Sequence, residues 1–344
     1  MTQISFVPIG STILLTGANG YVGMHVAREL LESGFQVKGT VRSLDKTELI
    51  LQVIDPRFHS RLSFVVEDLE SPQAFQNSGS LIGVDAILHV ASPIRSTFED
   101  SERDLLRPAV DGMLQLLRAA DQFPTIKRIV ITSSLATVVD STKGLRPDYI
   151  YTENDWSPVT WSEAKETKNW GLARAASKTF AERAAWEFFR ASGSSHPYDL
   201  VTLCPSLILG PSMKPARTVQ DISGSLRLFW SGISQQTLPP TMYPSYIDVR
   251  DLARIQRLAL QLPDLGGQRY LISGGSFSFA EAANIVASHI PNSKAKISNQ
   301  EETKLPAYIY DNNKMKRDFI GLELRSKEET IVDTAKQLYT VSET

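Results

Sequence analysis

The chain has 344 residues, of which 42 % are hydrophobic and 22 % charged, and its formal net charge is −2. This is the composition of a soluble globular protein with a sizeable core, and it excludes a basic nucleic-acid-binding surface. Cys204 is the only cysteine, so an intrachain disulfide is excluded, no Cys/His spacing offers a metal site, and a reducing, cytoplasmic setting is expected.

The first apolar run, residues 13–15, is of strand length and passes straight into a glycine turn, so neither a secretion signal nor a membrane span is expected. Strands are predicted over 12–16, 36–41, 62–66, 86–89, 128–132 and 200–204. Helices are predicted over 22–33, 105–120 and 173–191. That alternation is the pattern of a parallel sheet covered on both faces. Beyond Pro205, prolines at 211, 215, 239, 240 and 244 break the alternation, and the chain reads as a substrate lobe. The apolar segment 246–253 returns to the first domain. The expected fold is therefore α/β, a doubly wound Rossmann sheet with a smaller C-terminal substrate-binding lobe. Its domains are 1–205 plus about 245–262, and about 206–244 plus 263–344.

The strongest motif is Thr16-Gly17-Ala18-Asn19-Gly20-Tyr21-Val22-Gly23, between the first strand and the first helix. Gly17 suits a turn closed to other residues, Gly20 lets the backbone approach a pyrophosphate, and Gly23 lets helix and strand pack closely. The phosphates would lie on the unpaired N–H groups of the helix start, at Tyr21 and Val22. After the second strand, where an acid would grip the ribose hydroxyl of NAD, the chain has Val41-Arg42-Ser43, with Lys46 close behind. Arg42 can clamp a ribose phosphate and Lys46 adds a second charge, which points to NADP(H). The alternative reading is that both are solvated surface cations. Asp68 and Leu69, after the third strand, are placed to meet an adenine ring, and Ala91 and Ser92, after the fourth, to line the cofactor.

TGANGYVG, VRS, EDL, HVASP, TSS at 132–134, FAERAAWEF, CPSLILGP and YIDVRDLA together resemble the extended short-chain dehydrogenase/reductase family. Within it, the chain is most similar to fungal aldehyde and ketone reductases related to plant dihydroflavonol reductases. The resemblance covers nearly the whole chain. It implies a Rossmann domain with a substrate domain, NADPH, and reduction of a carbonyl. Asn19 and Pro205 join the implied cofactor contacts.

In that family a serine, a tyrosine and a lysine do the chemistry. Ser134 matches the serine that holds the substrate carbonyl, and Lys178 the lysine that holds the nicotinamide ribose. The tyrosine position is Arg174, one helical turn before Lys178 and on the same face. A guanidinium stays protonated and cannot serve as the usual acid, but it can stabilise an oxyanion. Tyr310 and Lys314 have the tyrosine-lysine spacing, by chance, while Tyr149 and Tyr151 could reach a substrate without a lysine behind them. Asp111 stands where relatives often have asparagine.

Three readings follow. The first is a carbonyl reductase in which Ser134 and Arg174 polarise the carbonyl and water or a substrate group gives the proton. The second is a non-redox isomerase, dehydratase or cyclase on the same scaffold, and the third a silent binding protein. The expected partner is a small molecule, with Phe229, Trp230, Met213 and Met242 suggesting an apolar one. Trp156, Trp161 and Trp170 are placed to cover the cleft. A monomer and a homodimer are both compatible with the sequence.

Overall fold

The computed structural model describes residues 5–342 except 72, 77, 94–96, 192, 236–237 and 291–306. In its first half the apolar runs at 12–16, 86–89 and 128–132 form strands buried between helices on either side, while the strands at 36–41 and 62–66 extend the sheet toward a more exposed edge. From the N-terminus, β1 (Thr12–Thr16) passes through the glycine turn into α1 (Tyr21–Glu32), followed by β2 (Gln36–Val41), α2 (Asp45–Val53), β3 (Leu62–Val66) and β4 (Ala86–His89). A wide helical turn over Glu102–Leu106 leads into α3 (Arg107–Ala120) and β5 (Arg128–Thr132). The short β6 (Ile150–Tyr151) and α4 (Trp161–Glu166) precede the long α5 (Trp170–Ala191) and β7 (Asp199–Pro205). After them come β8 (Leu207–Leu209), α6 (Gly224–Ile233), β9 (Ser245–Asp248), α7 (Val249–Gln261), β10 (Gln268–Ile272) and β11 (Gly275–Ser276). The chain ends with α8 (Phe279–His289), β12 (Ile309–Tyr310), α9 (Asn313–Asp318) and α10 (Lys327–Ser342).

Seven parallel strands make the main sheet, in the order β3-β2-β1-β4-β5-β7-β10. The order reverses between β1 and β4, so a crevice opens beyond their carboxyl ends, where Thr16 and His89 are register partners. On one face of the sheet, Val26 and Leu30 of α1 pack with Leu252, Ile255 and Leu260 of α7; on the other, Leu116 and Leu117 of α3 pack with Ala185 and Trp186 of α5. Among the described residues no helix is long and apolar enough to cross a membrane.

The segment expected at 246–253 is split. Its first half, β9, joins β8 and β11 in a small separate sheet, and its second half opens α7, which lies on the main sheet. Range 263–344 divides in the same way. α8 and α10 meet α6 in a lobe core around Phe229, Phe279 and Leu338, whereas β10 closes the main sheet beside β7, and Met315 and Phe319 of α9 enter the large core. The reason is long-range pairing: β10 opens on two polar residues, Gln268 and Arg269, and becomes a strand only against β7.

Candidate functional site

The glycine turn is held from two sides. Gly17 donates its N–H to Thr40 Oγ1 (3.1 Å) and Ala18 donates to the Thr40 carbonyl (3.2 Å), which ties the turn to β2. Gly17 lies at φ +69°, and a Cβ there would stand 3.0 Å from Ala91 Cβ. Gly23 is just as constrained, since a Cβ would meet the Gly17 carbonyl oxygen at 2.1 Å. Gly39, unremarked in the sequence, leaves the room that Ala18 occupies, with 2.8 Å to its methyl group. α1 thus starts immediately behind the turn, with Gly20 at its N-cap, no side chain capping it and no acid in its first turn. Its free N–H groups at Tyr21 and Val22 are an anion-binding end of the kind a pyrophosphate requires. Asn19 sits half-buried in the same turn. The Tyr21 phenol is turned away from it, donating to the Gly210 carbonyl (2.8 Å).

Thr16 connects this turn to β4. Its hydroxyl accepts from the N–H groups of Val90 and Ala91, both at 3.0 Å, so its one proton is directed to His89 Nδ1, also 3.0 Å away. His89 therefore carries its proton on Nε2. Burial, with the Lys178 charge second, holds its pKa down to about 3, so it is neutral and packs beside the site.

The outer cofactor positions are more open. Arg42 is exposed and pairs with Glu70 across the ends of β2 and β3 (3.2 Å), and Lys46 pairs with Asp45 (2.9 Å). Asp68 caps the turn that follows β3, accepting from Glu70 N–H (3.1 Å). Leu69 is pressed against α3, and its carbonyl oxygen lies 2.8 Å from where a Cβ of Gly112 would be. That close approach explains the glycine beside Asp111, which is itself exposed. Pro205 ends β7, buried beside Ile272.

Lys178 reaches the carboxyl end of β5, Ser134 follows that strand by two residues, and Arg174 stands one turn before Lys178 on α5. α5 begins a turn earlier than its sequence pattern predicts, because Asn169 caps it: its Oδ1 accepts from Leu172 N–H (3.0 Å). Lys178 donates from Nζ to the Thr132 carbonyl (3.4 Å) and lines a cavity of about 20 Å³ with His89, Ser92, Thr132, Ser133 and Glu182. The buried Thr132 hydroxyl has no protein partner among the described residues, so the cavity suits one water. Burial, and then the Arg174 charge, bring the Lys178 pKa down to about 8. Burial also lowers Arg174 from its usual value, without deprotonating it. Among the described residues the Arg174 guanidinium makes no hydrogen bond or ion pair; it lies 5.8 Å from the Trp170 ring and in electrostatic contact with Tyr243.

Ser134 opens a tight turn over Leu135–Thr137, and its Oγ accepts from Ala136 N–H (3.1 Å). Its own proton stays available for a substrate oxygen. The turn is anchored from below by Glu182, which sequence reasoning missed. Glu182 accepts from Ser133 (2.6 Å), Thr137 (2.7 Å) and Thr202 (2.9 Å) and pairs with Arg269 Nε (2.8 Å). Arg269 and the hydroxyls keep this buried carboxyl below its usual value despite desolvation. The signal was spacing, because Glu182 stands one turn beyond Lys178 as Lys178 does beyond Arg174.

Several other candidates have structural roles. Tyr151 is buried, accepting from Asp140 N–H (3.1 Å), and Tyr149 donates to Asp155 (2.6 Å); together with Tyr308 and Tyr310 they form one aromatic cluster. Lys314 is bound to Gln268 (2.8 Å) and the Arg269 carbonyl (2.9 Å), so it does not serve Tyr310 as a catalytic lysine. Trp156 stacks under Arg269 (3.8 Å), and Trp161 packs on Phe180 (4.9 Å). Phe229 lies buried in the lobe core.

A family model, the NAD dependent epimerase/dehydratase family, matches residues 13–273. The chain belongs to this family, the extended short-chain dehydrogenases/reductases. It is 32 % identical to the NADPH-dependent methylglyoxal reductase GRE2 of Saccharomyces cerevisiae, over 95 % of this chain and 98 % of the relative. It is also 32 % identical to the ketoreductase azaE of Aspergillus niger, over 96 % and 98 % respectively. The solved structure of the yeast methylglyoxal/isovaleraldehyde reductase Gre2 with NADPH superposes with a TM-score of 0.84 at 29 % identity, covering 96 % of this chain and 98 % of that one.

Proposed function

We propose that this protein is an NADP(H)-dependent oxidoreductase that reduces the carbonyl of a small metabolite without a tyrosine general acid. One observation carries the reading: an acid-free helix start follows the Gly17 turn at the end of β1, and the Lys178 ammonium lines a cavity with His89 at the end of the neighbouring β4. Its similarity to NADPH-dependent reductases along the whole chain supports it. The cradle fits the cofactor, because Gly17 at φ +69° and Gly23 against the Gly17 carbonyl let the turn close tightly enough for α1 to start directly behind it. Gly17, Gly20 and the N–H groups of Tyr21, Val22 and Gly23 would hold the pyrophosphate. Arg42 and Lys46 would hold the ribose phosphate, exchanging weak surface pairs for a charge-assisted clamp. Asp68 and Leu69 would meet the adenine, with Asn19, Ala91, Ser92 and Pro205 lining the rest and Lys178 binding the nicotinamide ribose.

Bound NADPH supplies a hydride. Ser134 donates to the substrate carbonyl oxygen, and Arg174 stabilises the negative charge as it grows there, in a cleft where such charge is poorly screened. As the carbonyl carbon is reduced by that hydride, Ser134 and Arg174 would hold the electron pair that moves to oxygen, and water would give the alkoxide its proton, leaving an alcohol. The same two groups would stabilise an enolate, and the absence of a tyrosine at 174 favours that non-redox reading as the second choice.

Calorimetric titration with NADPH and NADH, followed by nicotinamide absorbance with a panel of aldehydes and ketones, tests the proposal. Tight NADPH binding with oxidation supports it. Binding without turnover transfers the case to non-redox chemistry, and no binding removes the cofactor assignment.

A further inference from the structure

Two cations stand one turn apart on α5, and among the described residues neither is paired with a carboxylate. Arg174 has no hydrogen bond or ion pair among the described residues, and Lys178 has only a long bond to a carbonyl, at 3.4 Å. The carboxylate nearest in sequence, Glu182, is already occupied by Arg269 and three hydroxyls. Two other withdrawn arginines are paired with carboxylates: Arg128 has Asp199 (2.6 Å) and three carbonyls, and Arg250 has Asp248 (2.7 Å) and Asp333 (2.8 Å). Arg174 is half-buried, and holding a guanidinium partly out of water without a charged partner is costly, a cost that a ligand bringing the missing anion recovers.

We propose that the substrate is an α-oxo acid, with its carboxylate held by Arg174 and its reacting carbonyl shared between Arg174 and Ser134. This rests on the reductase reading above for the fate of the carbonyl, but the anion site stands on Arg174 and Lys178 alone. The class follows from the shape of the donor. A guanidinium edge presents two parallel N–H groups. An α-oxo acid presents a carboxylate oxygen and a carbonyl oxygen side by side in one plane, so one edge can grip both. A single residue can then anchor the substrate and stabilise the alkoxide. Half-exposed Met242 and Tyr243, and Trp170 beside Arg174, leave an apolar rim for the rest of the molecule.

The test uses unreactive probes. Wild type and Arg174→Met are titrated calorimetrically with oxamate and with the neutral oxamide, with and without saturating NADPH. The wild type should prefer oxamate by at least about tenfold, the scale of a charge-assisted pair, and the variant should lose that preference while keeping its NADPH affinity. Arg174→Met should also unfold at a higher temperature than wild type, because it removes an unpaired, desolvated charge; a structural arginine would lower the midpoint. Arg174→Lys, which keeps the charge and loses the fork, should fall between. Equal binding of the two probes by the NADPH-loaded wild type overturns the anion site and leaves the reductase reading standing. Preference for oxamate in a protein that does not bind NADPH keeps the anion site and overturns the reductase reading.

Discussion

Replacing Arg174 by tyrosine restores the side chain that the rest of the site is arranged to serve, and the consequences can be worked out group by group. No hydrogen bond or ion pair of the guanidinium is broken among the described residues, and tyrosine costs a helix no more than about 0.7 kcal/mol relative to the best residues. Lys178, one turn on, loses the repulsion of the Arg174 charge, so its pKa rises from about 8 and it is more fully protonated near neutrality. A cation in that place favours the ionised form of a neighbouring phenol and makes it a better proton donor. A positioned general acid contributes about 10²–10⁴-fold, and losing one preorganised oxyanion donor costs about 10²–10³-fold. For a neutral ketone those ranges combine to between about a tenfold fall and a hundredfold rise, and because the new phenol also donates to the oxygen that Arg174 held, the gain should prevail, a rise of up to about a hundredfold in kcat/KM. For an α-oxo acid the lost anchor should outweigh the gain, and the rate should fall. Initial rates of NADPH consumption on both substrate types, at saturating cofactor, measure the two directions at once. A variant that folds and binds NADPH but gains nothing on neutral ketones would refute the claim that Ser134 and Lys178 form a reductase site.

Arg42→Ala should collapse the preference for NADPH over NADH by about tenfold or more, leaving stability within about 0.5 kcal/mol, since its pair with Glu70 is on the surface; an unchanged cofactor ratio in calorimetry would assign the ribose phosphate elsewhere. Gly17→Ala must place a methyl group 3.0 Å from Ala91 Cβ at φ +69°, a strain of about 1–2 kcal/mol from the backbone alone. It should weaken NADPH at least about tenfold, and intact affinity would detach the turn from the phosphates. Glu182→Ala leaves Arg269 buried without its counter-ion and should cost about 3–5 kcal/mol in urea unfolding, with Glu182→Ala/Arg269→Met recovering part of it; a loss below about 1 kcal/mol would contradict the buried pair. His25 and His89 are held by burial at about 4 and about 3, below the ordinary value of about 6.5. The unfolded chain therefore binds more protons between those values. Their stabilising contribution is complete above about pH 6.5 and is lost as pH falls toward 4, by about 1.4 kcal/mol per unit for each histidine. Denaturant midpoints that fall between about pH 7.5 and 5, less steeply in His25→Asn, check this.

The strands were legible where burial on both faces makes a run continuously apolar, as in β1, β4 and β5. The glycine turn was legible because its residues are set by backbone geometry: Gly17 by a positive φ, Gly23 by the carbonyl it packs against. Features decided across long sequence separations were hidden. β10 needs β7 beside it, Glu182 needs Arg269, and Tyr151, which looked free in a loop, is buried because β12 pairs with β6. The early start of α5 was missed because its cap, Asn169, precedes the apolar pattern. At the site, the spacing of Arg174 and Lys178 could be read from the chain, whereas the absence of a hydrogen bond or ion pair to Arg174 among the described residues required every neighbouring element.

Transfer of label from cofactor to product tests the central claim most directly. The protein is incubated with NADPH carrying deuterium at the transferable position of the nicotinamide and with a panel of α-oxo acids, and the products are examined by mass spectrometry. The account predicts a hydroxy acid with one deuterium on its carbinol carbon and an equal amount of NADP+. An unlabelled product, or bound NADPH that stays reduced while the substrate rearranges, would contradict it.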